Sequence, residues 1–317
     1  EEGSLRIRRA YQQALEMPHK QDISLTPETT AHLKNLSKSF TQAMPYHLKY
    51  KLKHYRKGGD VGGSITILAR FARDLINVLL HKKGNTQYLQ ACYHENKGRF
   101  KRKKLLAHYH RLAKAVDLTV PYVFVALQCE PERQTCPTGG VFGHQYLMID
   151  LLSKLLPAGW KLYVKEHVSQ FKDYQAAERS KSLDFYDGIA AKPNVELVPL
   201  SYTSFELIDH AKASATVSGT VGWESVVRGK PALLFGHSWY RDCKGVFVTH
   251  TVDACRQAIR NIQNGFTVDR DALICFAKVV ESCSVRGYID KFYEKINIVS
   301  PEENVENLAR AIAEFVS

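Results

Sequence analysis

The stretch ATVSGTVGWESVVRGKPALLF, residues 215–235, decides the fold. It opens with the short run 215–218, continues through 221–229 with a helical pattern, turns at Gly229-Lys230-Pro231 and resumes as an apolar run at 232–235. Neither run alternates polar with apolar residues, as a strand with one wet face would. Each reads as a strand covered on both faces, and strand–helix–strand is the repeating unit of a parallel sheet.

Working outward, the same texture extends back to about residue 118 and on to the end of the chain. Further runs fall at Val120–Leu127, Lys161–Val164 and Val195–Leu200, and helical patterns at 144–156, 178–191, 203–213, 253–263, 269–283 and 303–316. The alternation predicts an α/β domain with a doubly wound parallel sheet over residues 117–317. In that architecture ligands sit at the carboxyl ends of the strands.

Residues 1–116 read differently. Helix-forming composition recurs at 5–17, 29–43, 64–81 and 101–116, broken by polar stretches such as 57–63 and the aromatic-basic segment from Tyr93 to Arg102. The whole chain carries 44 Lys+Arg against 32 Asp+Glu, a formal charge of +12. Split at 116, the first part holds 23 basic and 8 acidic residues and the rest 21 and 24, so the basic excess lies entirely in the helical third. We therefore read 1–116 as a basic, mainly helical region, the remnant or tail of an N-terminal domain. The seven cysteines form no CxxC pair and no zinc spacing, which fits a reduced, cytoplasmic setting. No apolar run approaches the roughly 18–20 residues a membrane-spanning helix needs. The start, EEGSLRIRRA, lacks the pattern of a signal peptide.

The strand ends hold the chemistry. The first run leads into Gln128-Cys129-Glu130-Pro131-Glu132, then the glycine-containing loop 137–144; carboxylates there suit a base or nucleophile. The second ends in Lys165-Glu166-His167, where lysine offers a point charge and histidine a directional donor to a phosphate. The fourth ends in Ser218-Gly219-Thr220-Val221-Gly222-Trp223-Glu224 and opens a helix, so its N–H groups suit an anion and Glu224, a turn later, a ribose hydroxyl. An ordinary cap by Ser218 or Thr220 is the competing reading. Trp239 and Tyr240, after the fifth run, suit either stacking on a base or covering the sheet end.

Together, and in this order, these segments resemble the capsule polysaccharide biosynthesis family, which includes bacterial β-Kdo glycosyltransferases, over about residues 120–256. The resemblance implies the nucleotide-binding, C-terminal half of a GT-B glycosyltransferase that uses a CMP-activated, Kdo-like sugar without a metal or other cofactor. It makes His167 and Glu132 the catalytic residues and assigns donor binding to Gln128, Lys165, Ser218, Gly219, Thr220 and Glu224. Val168 stands where the family has the proline of a His-Pro motif, and no second Rossmann-like half precedes residue 117. An N-terminal acceptor domain is thus expected either to lie outside this sequence or to be replaced by helices.

The implied partners are the nucleotide-sugar donor, a glycan or glycolipid acceptor, and an anionic membrane surface met by residues 1–116. The location expected is cytoplasmic, peripheral on the inner face of the membrane. Two alternatives stand beside this: a GT-B-type transferase or epimerase using a UDP-sugar or CDP-polyol, and a non-catalytic polyanion-binding module. Nucleic acid is the least favoured partner, because the basic clusters at 49–57 and 99–104 come with no nucleic-acid-binding fold signature.

Overall fold

The computed structural model describes residues 2–16, 24–38, 76, 86–132, 135–172, 179–289 and 299–316. The helices described are α1 (Glu2–Glu16), α2 (Pro27–Ser37), α3 (Thr86–Leu112), α4 (Tyr146–Leu155), α5 (Leu183–Ala190), α6 (Ser204–His210), α7 (Val221–Val227), α8 (Val252–Gln263), α9 (Arg270–Cys283) and α10 (Pro301–Val316). The strands are β1 (Tyr122–Ala126), β2 (Lys161–Lys165), β3 (Val195–Leu197), β4 (Ala213–Thr216), β5 (Ala232–Leu234) and β6 (Val246–Val248).

All six strands form one parallel sheet in the order β3-β2-β1-β4-β5-β6. This is the doubly wound order 3-2-1-4-5-6, whose direction reverses between β1 and β4. The α/β reading is therefore correct, and the five expected strand runs are all present. β6 is an addition: three half-buried residues at the sheet edge leave little apolar pattern to read.

Side-chain alternation sorts the sheet into two faces. Val123, Val125 and Leu127 join Leu162, Val164, Ala213, Ala215 and Leu233 in one core, closed by Met148, Ile149 and Leu152 of α4 and Ile259 and Ile262 of α8. The same core takes in Leu105 and Tyr109 of α3, 1% and 0% exposed. That packing corrects one expectation. The segment from Tyr93 to Arg102 is helix, not a polar break; its buried stripe, Gly98, Arg102, Leu105 and Tyr109, keeps helical spacing but begins with a glycine and an arginine, so no apolar period announces it. Side chains from before residue 117 thus complete the α/β core.

Contacts group the chain into two compact units, residues 31–269 and residues 1–30 with 270–317. In the second, Tyr11 of α1 is 3% exposed, donates from its hydroxyl to Ala272 O at 2.9 Å and sets its ring edge-on to Phe276 of α9. Nearby, Glu281 accepts hydrogen bonds from the hydroxyls of Thr26 and Thr29. The helix expected at 64–81 lies outside the described residues, save position 76.

Helix ends have local causes. The pattern at 101–116 stops at Leu112 because Lys114 N–H turns away to Leu197 O of β3, at 2.9 Å. The pattern at 178–191 starts only at Leu183, where the Ser182 hydroxyl caps Phe185 N–H.

Candidate functional site

β1 and β4 are neighbours with connections leaving in opposite directions, so a crevice opens beyond their carboxyl ends. Gln128 and Ser218 stand there, and they meet. Ser218 N–H donates to Gln128 Oε1 at 2.9 Å, and Gln128 Nε2 donates to Ser218 Oγ at 3.3 Å. Gln128 is 7% exposed, and its backbone is fixed too: its N–H donates to Gln145 Oε1 (2.8 Å) and its carbonyl accepts from Gln145 Nε2 (2.9 Å). The amide of Gln128 thus clasps two strand ends together.

Beyond Ser218 the chain is drawn tight. Gly219 N–H donates back to Thr216 Oγ1 at 3.1 Å, and the Tyr240 hydroxyl donates to Gly219 O. Tyr240 is fully buried and lies so close to Gly222 that an added Cβ there would sit 2.5 Å from its hydroxyl oxygen. Of the two roles open to the Trp239-Tyr240 pair, Tyr240 takes the covering one. Trp239 is 46% exposed, with its ring centroid 5.0 Å from that of Trp223.

No side chain caps α7: Thr220 at its N-cap is in the helical region and makes no capping bond. The simple capping reading is therefore set aside. The N–H groups of Thr220 and Val221 meet no acceptor among the described residues, and they are the orphan donors that an anion can use. The Thr220 hydroxyl instead donates to Glu224 Oε1 at 3.1 Å. Burial raises the Glu224 carboxyl above the usual carboxylate range, against the Thr220 hydrogen bond and the charge of Arg228. A ligand hydroxyl donating to it would favour the ionised form.

β2 supplies the other wall. Lys165, its last residue, is half-buried and its ammonium has no hydrogen-bond partner among the described residues; desolvation pushes its pKa down to about 8, against the attraction of Glu166. His167 caps the 3-10 turn Val168–Phe171, its Nδ1 accepting from Ser169 N–H at 3.2 Å. The neutral ring then carries its proton on Nε2, as a donor to a phosphate oxygen requires.

Behind these walls lies a network of buried polar groups that sequence reading missed. Glu166 and Lys181 form an ion pair with no side-chain exposure, at 3.0 and 2.8 Å to the two carboxylate oxygens. Tyr186 donates to the same carboxylate at 2.7 Å, and His167 N–H donates to its Oε1 at 2.7 Å. Lys181 Nζ also donates to Gln128 O at 3.2 Å. Tyr109 of α3 accepts from Glu166 N–H at 3.1 Å and donates to Val198 O at 2.6 Å. Lys181, in the stretch ERSKSLDF within the helical pattern at 178–191, has polar neighbours on both sides, and nothing in them hints at burial.

The described geometry therefore joins Gln128 to Ser218 directly, His167 to Gln128 through Glu166 and Lys181, and Thr220 to Glu224. Lys165 shares the β2 end with His167. Glu132 is half-buried, and its carbonyl closes the following turn by accepting from Thr135 and Cys136 N–H, both at 3.1 Å. Glu130, the companion carboxylate, accepts from Gln145 Nε2 at 2.5 Å. Gly139 in the glycine-containing loop 137–144 leaves its missing Cβ to the Thr135 carbonyl and the Val217 side chain, so its smallness serves packing within the protein. Among the described residues, no three His, Cys, Asp or Glu side chains group as metal ligands, and no helix is long and apolar enough to cross a membrane.

No protein-family model and no curated protein sequence matches the chain. Among solved structures it is similar to the Thermosulfurimonas dismutans KpsC beta Kdo 2,7 transferase, at 14% identity and a TM-score of 0.32, over 63% of this chain and 55% of that one. The KpsC beta Kdo 2,4 transferase of the same organism matches at 17% identity and 0.34, over 58% and 54%. The UDP-GlcNAc 2-epimerase from Methanocaldococcus jannaschii matches at 10% identity and 0.37, over 57% and 49%. The chain spans about half the length of these structures. The fold assignment stands on the strand order of the sheet and not on likenesses this distant.

Proposed function

We propose that the α/β region built on the six-stranded sheet forms the donor-binding half of a GT-B-type glycosyltransferase, one that moves a CMP-activated, Kdo-like sugar to a glycan or glycolipid acceptor in surface or capsular polysaccharide synthesis. The observation that carries this is the switch-point crevice: the Gln128–Ser218 clasp, flanked by the Thr220 and Val221 N–H groups, the Nε2–H tautomer of His167 and the half-buried Lys165. These are donors set for one departing phosphate, and preorganised donors of this kind stabilise charge as it develops. In this reading Glu224 accepts from the ribose hydroxyls.

In this reading His167 and Lys165 hold the phosphate as the bond to the sugar breaks, and Glu132 takes the acceptor proton. No metal is invoked. The basic residues of 1–116 meet an anionic membrane surface, which sets the enzyme on the cytoplasmic face of the membrane.

Calorimetry with CMP, CDP and UDP tests the reading. CMP is expected to bind best, and His167→Ala and Glu224→Ala are each expected to weaken it about tenfold or more, the loss of one or two charge-assisted hydrogen bonds. Preference for UDP or CDP would move the assignment to a UDP-sugar or CDP-polyol enzyme. No nucleotide binding, with salt-dependent retention of a polyanion, would replace it by the binding-module reading.

A further inference from the structure

The geometry points to Lys181 and Glu166 as a positioning pair that sets the ends of β1 and β2 for the ligand, an inference that rests on the nucleotide-binding reading of those ends. Both side chains are fully buried. A buried ion pair is poor evidence of stabilisation, since desolvating two charges offsets most of their attraction and well-packed apolar residues often do as well. What distinguishes this pair is where its remaining hydrogen bonds go.

The carboxylate of Glu166 accepts from Lys181, from the Tyr186 hydroxyl and from His167 N–H; the ammonium of Lys181 donates to both Glu166 oxygens and to Gln128 O. One pair thus grips the main chain of the residue that clasps β4 and of His167, the residue assigned to the phosphate under the proposed function. Holding His167 N–H fixes the extended backbone at this position, φ −71° and ψ 128°, from which the ring reaches Ser169 N–H and adopts one tautomer. Neither Lys181 nor Glu166 touches the crevice ligand in this account; they act through His167 and Gln128.

The experiment compares the wild type with Lys181→Met, Lys181→Arg and Ile259→Ala, the last a cavity in the core under α8 that serves as a stability control. Three quantities are read: the melting temperature, the His167 ring and amide signals by nitrogen-15 NMR without nucleotide, and CMP affinity by calorimetry. In folded Lys181→Met the ring signals are expected to leave the single Nε2–H pattern, the His167 amide to exchange faster, and CMP affinity to fall roughly tenfold or more, as small misplacements of a site do. Lys181→Arg is expected to recover part of each. Ile259→Ala is expected to melt earlier with the His167 signals and CMP affinity unchanged.

Wild-type ring signals and amide protection in folded Lys181→Met would overturn the inference, and so would equal changes in Ile259→Ala. If Lys181→Met does not fold, the same readings on Glu166→Gln, which keeps the shape and removes the charge, decide it by the same criteria. If the wild type binds none of CMP, CDP and UDP, the nucleotide reading fails by itself, and the ring and amide signals still decide whether the pair positions His167.

Discussion

Replacing Lys165 by Met should make the protein more stable at neutral pH and worse at holding an anion. The ammonium ends a strand, is half-buried and finds no acceptor among the described residues, and its pKa falls from 10.5 to about 8. At about 1.4 kcal/mol per pKa unit the shift corresponds to roughly 3 kcal/mol of penalty on the charged form, and partial solvent access lowers the usable figure to about 1–2 kcal/mol. The sign follows from proton counting. Between about pH 8 and 10.5 the unfolded chain binds more protons at this residue than the folded one, so wild-type stability gains with rising pH across that window; below pH 8 the penalty is fully present. Lys165→Met, similar in length and uncharged, removes it. Urea unfolding followed by circular dichroism at pH 7 and pH 9.5 should give the variant an advantage of about 1–2 kcal/mol at the lower pH that narrows at the higher. Other titrating groups cancel in the difference between the two proteins. A variant less stable than wild type at pH 7, or an advantage that does not change with pH, refutes the reasoning. CMP affinity should fall in the same variant, because the penalty is what keeps a cation ready for a phosphate.

Two further outcomes are expected. Gly222→Ala puts a methyl carbon 2.5 Å from the Tyr240 hydroxyl oxygen and 2.9 Å from its ring, so thermal unfolding should show a loss of about 1–3 kcal/mol. Glu281 is held near pKa 2: burial opposes its ionisation, but hydrogen bonds from Thr26, Thr29 and Lys278 outweigh it. Its contribution is present above the unfolded carboxyl pKa and lost as pH falls towards 2, so Glu281→Gln should cost about 1 kcal/mol at pH 7, with wild type and variant converging in melting temperature below about pH 4.

The sheet was legible because its strands are continuous apolar runs, and five of the six announce themselves in this way. β6 did not, since three half-buried edge residues have no period to show. The strand ends were legible as chemistry but not as geometry. Gln128 reads as a ligand contact by type and position, yet its amide is committed to Ser218, a partner 90 residues away that no local pattern can reveal. Thr220 reads as a cap, while its helical backbone turns the hydroxyl towards Glu224. The least visible part is the set of groups behind the site. Glu166, Lys181 and Tyr109 lie in polar or mixed segments, and their burial depends on α3, α5 and the end of β2 converging in space.

The pairing of α1 with α9 sets a schedule for the growing chain. Tyr11 and its acceptor at Ala272 are 261 residues apart. At about 5–20 residues per second of synthesis, the second partner emerges roughly 10–50 s after the first. Through that interval Tyr11 lacks the Ala272 carbonyl and the Phe276 ring, while the whole of the 31–269 unit has been made and is free to fold. α1 therefore finds its place only once α9 has been made, and the interval before α9 arrives is when chaperones and proteases have access to it.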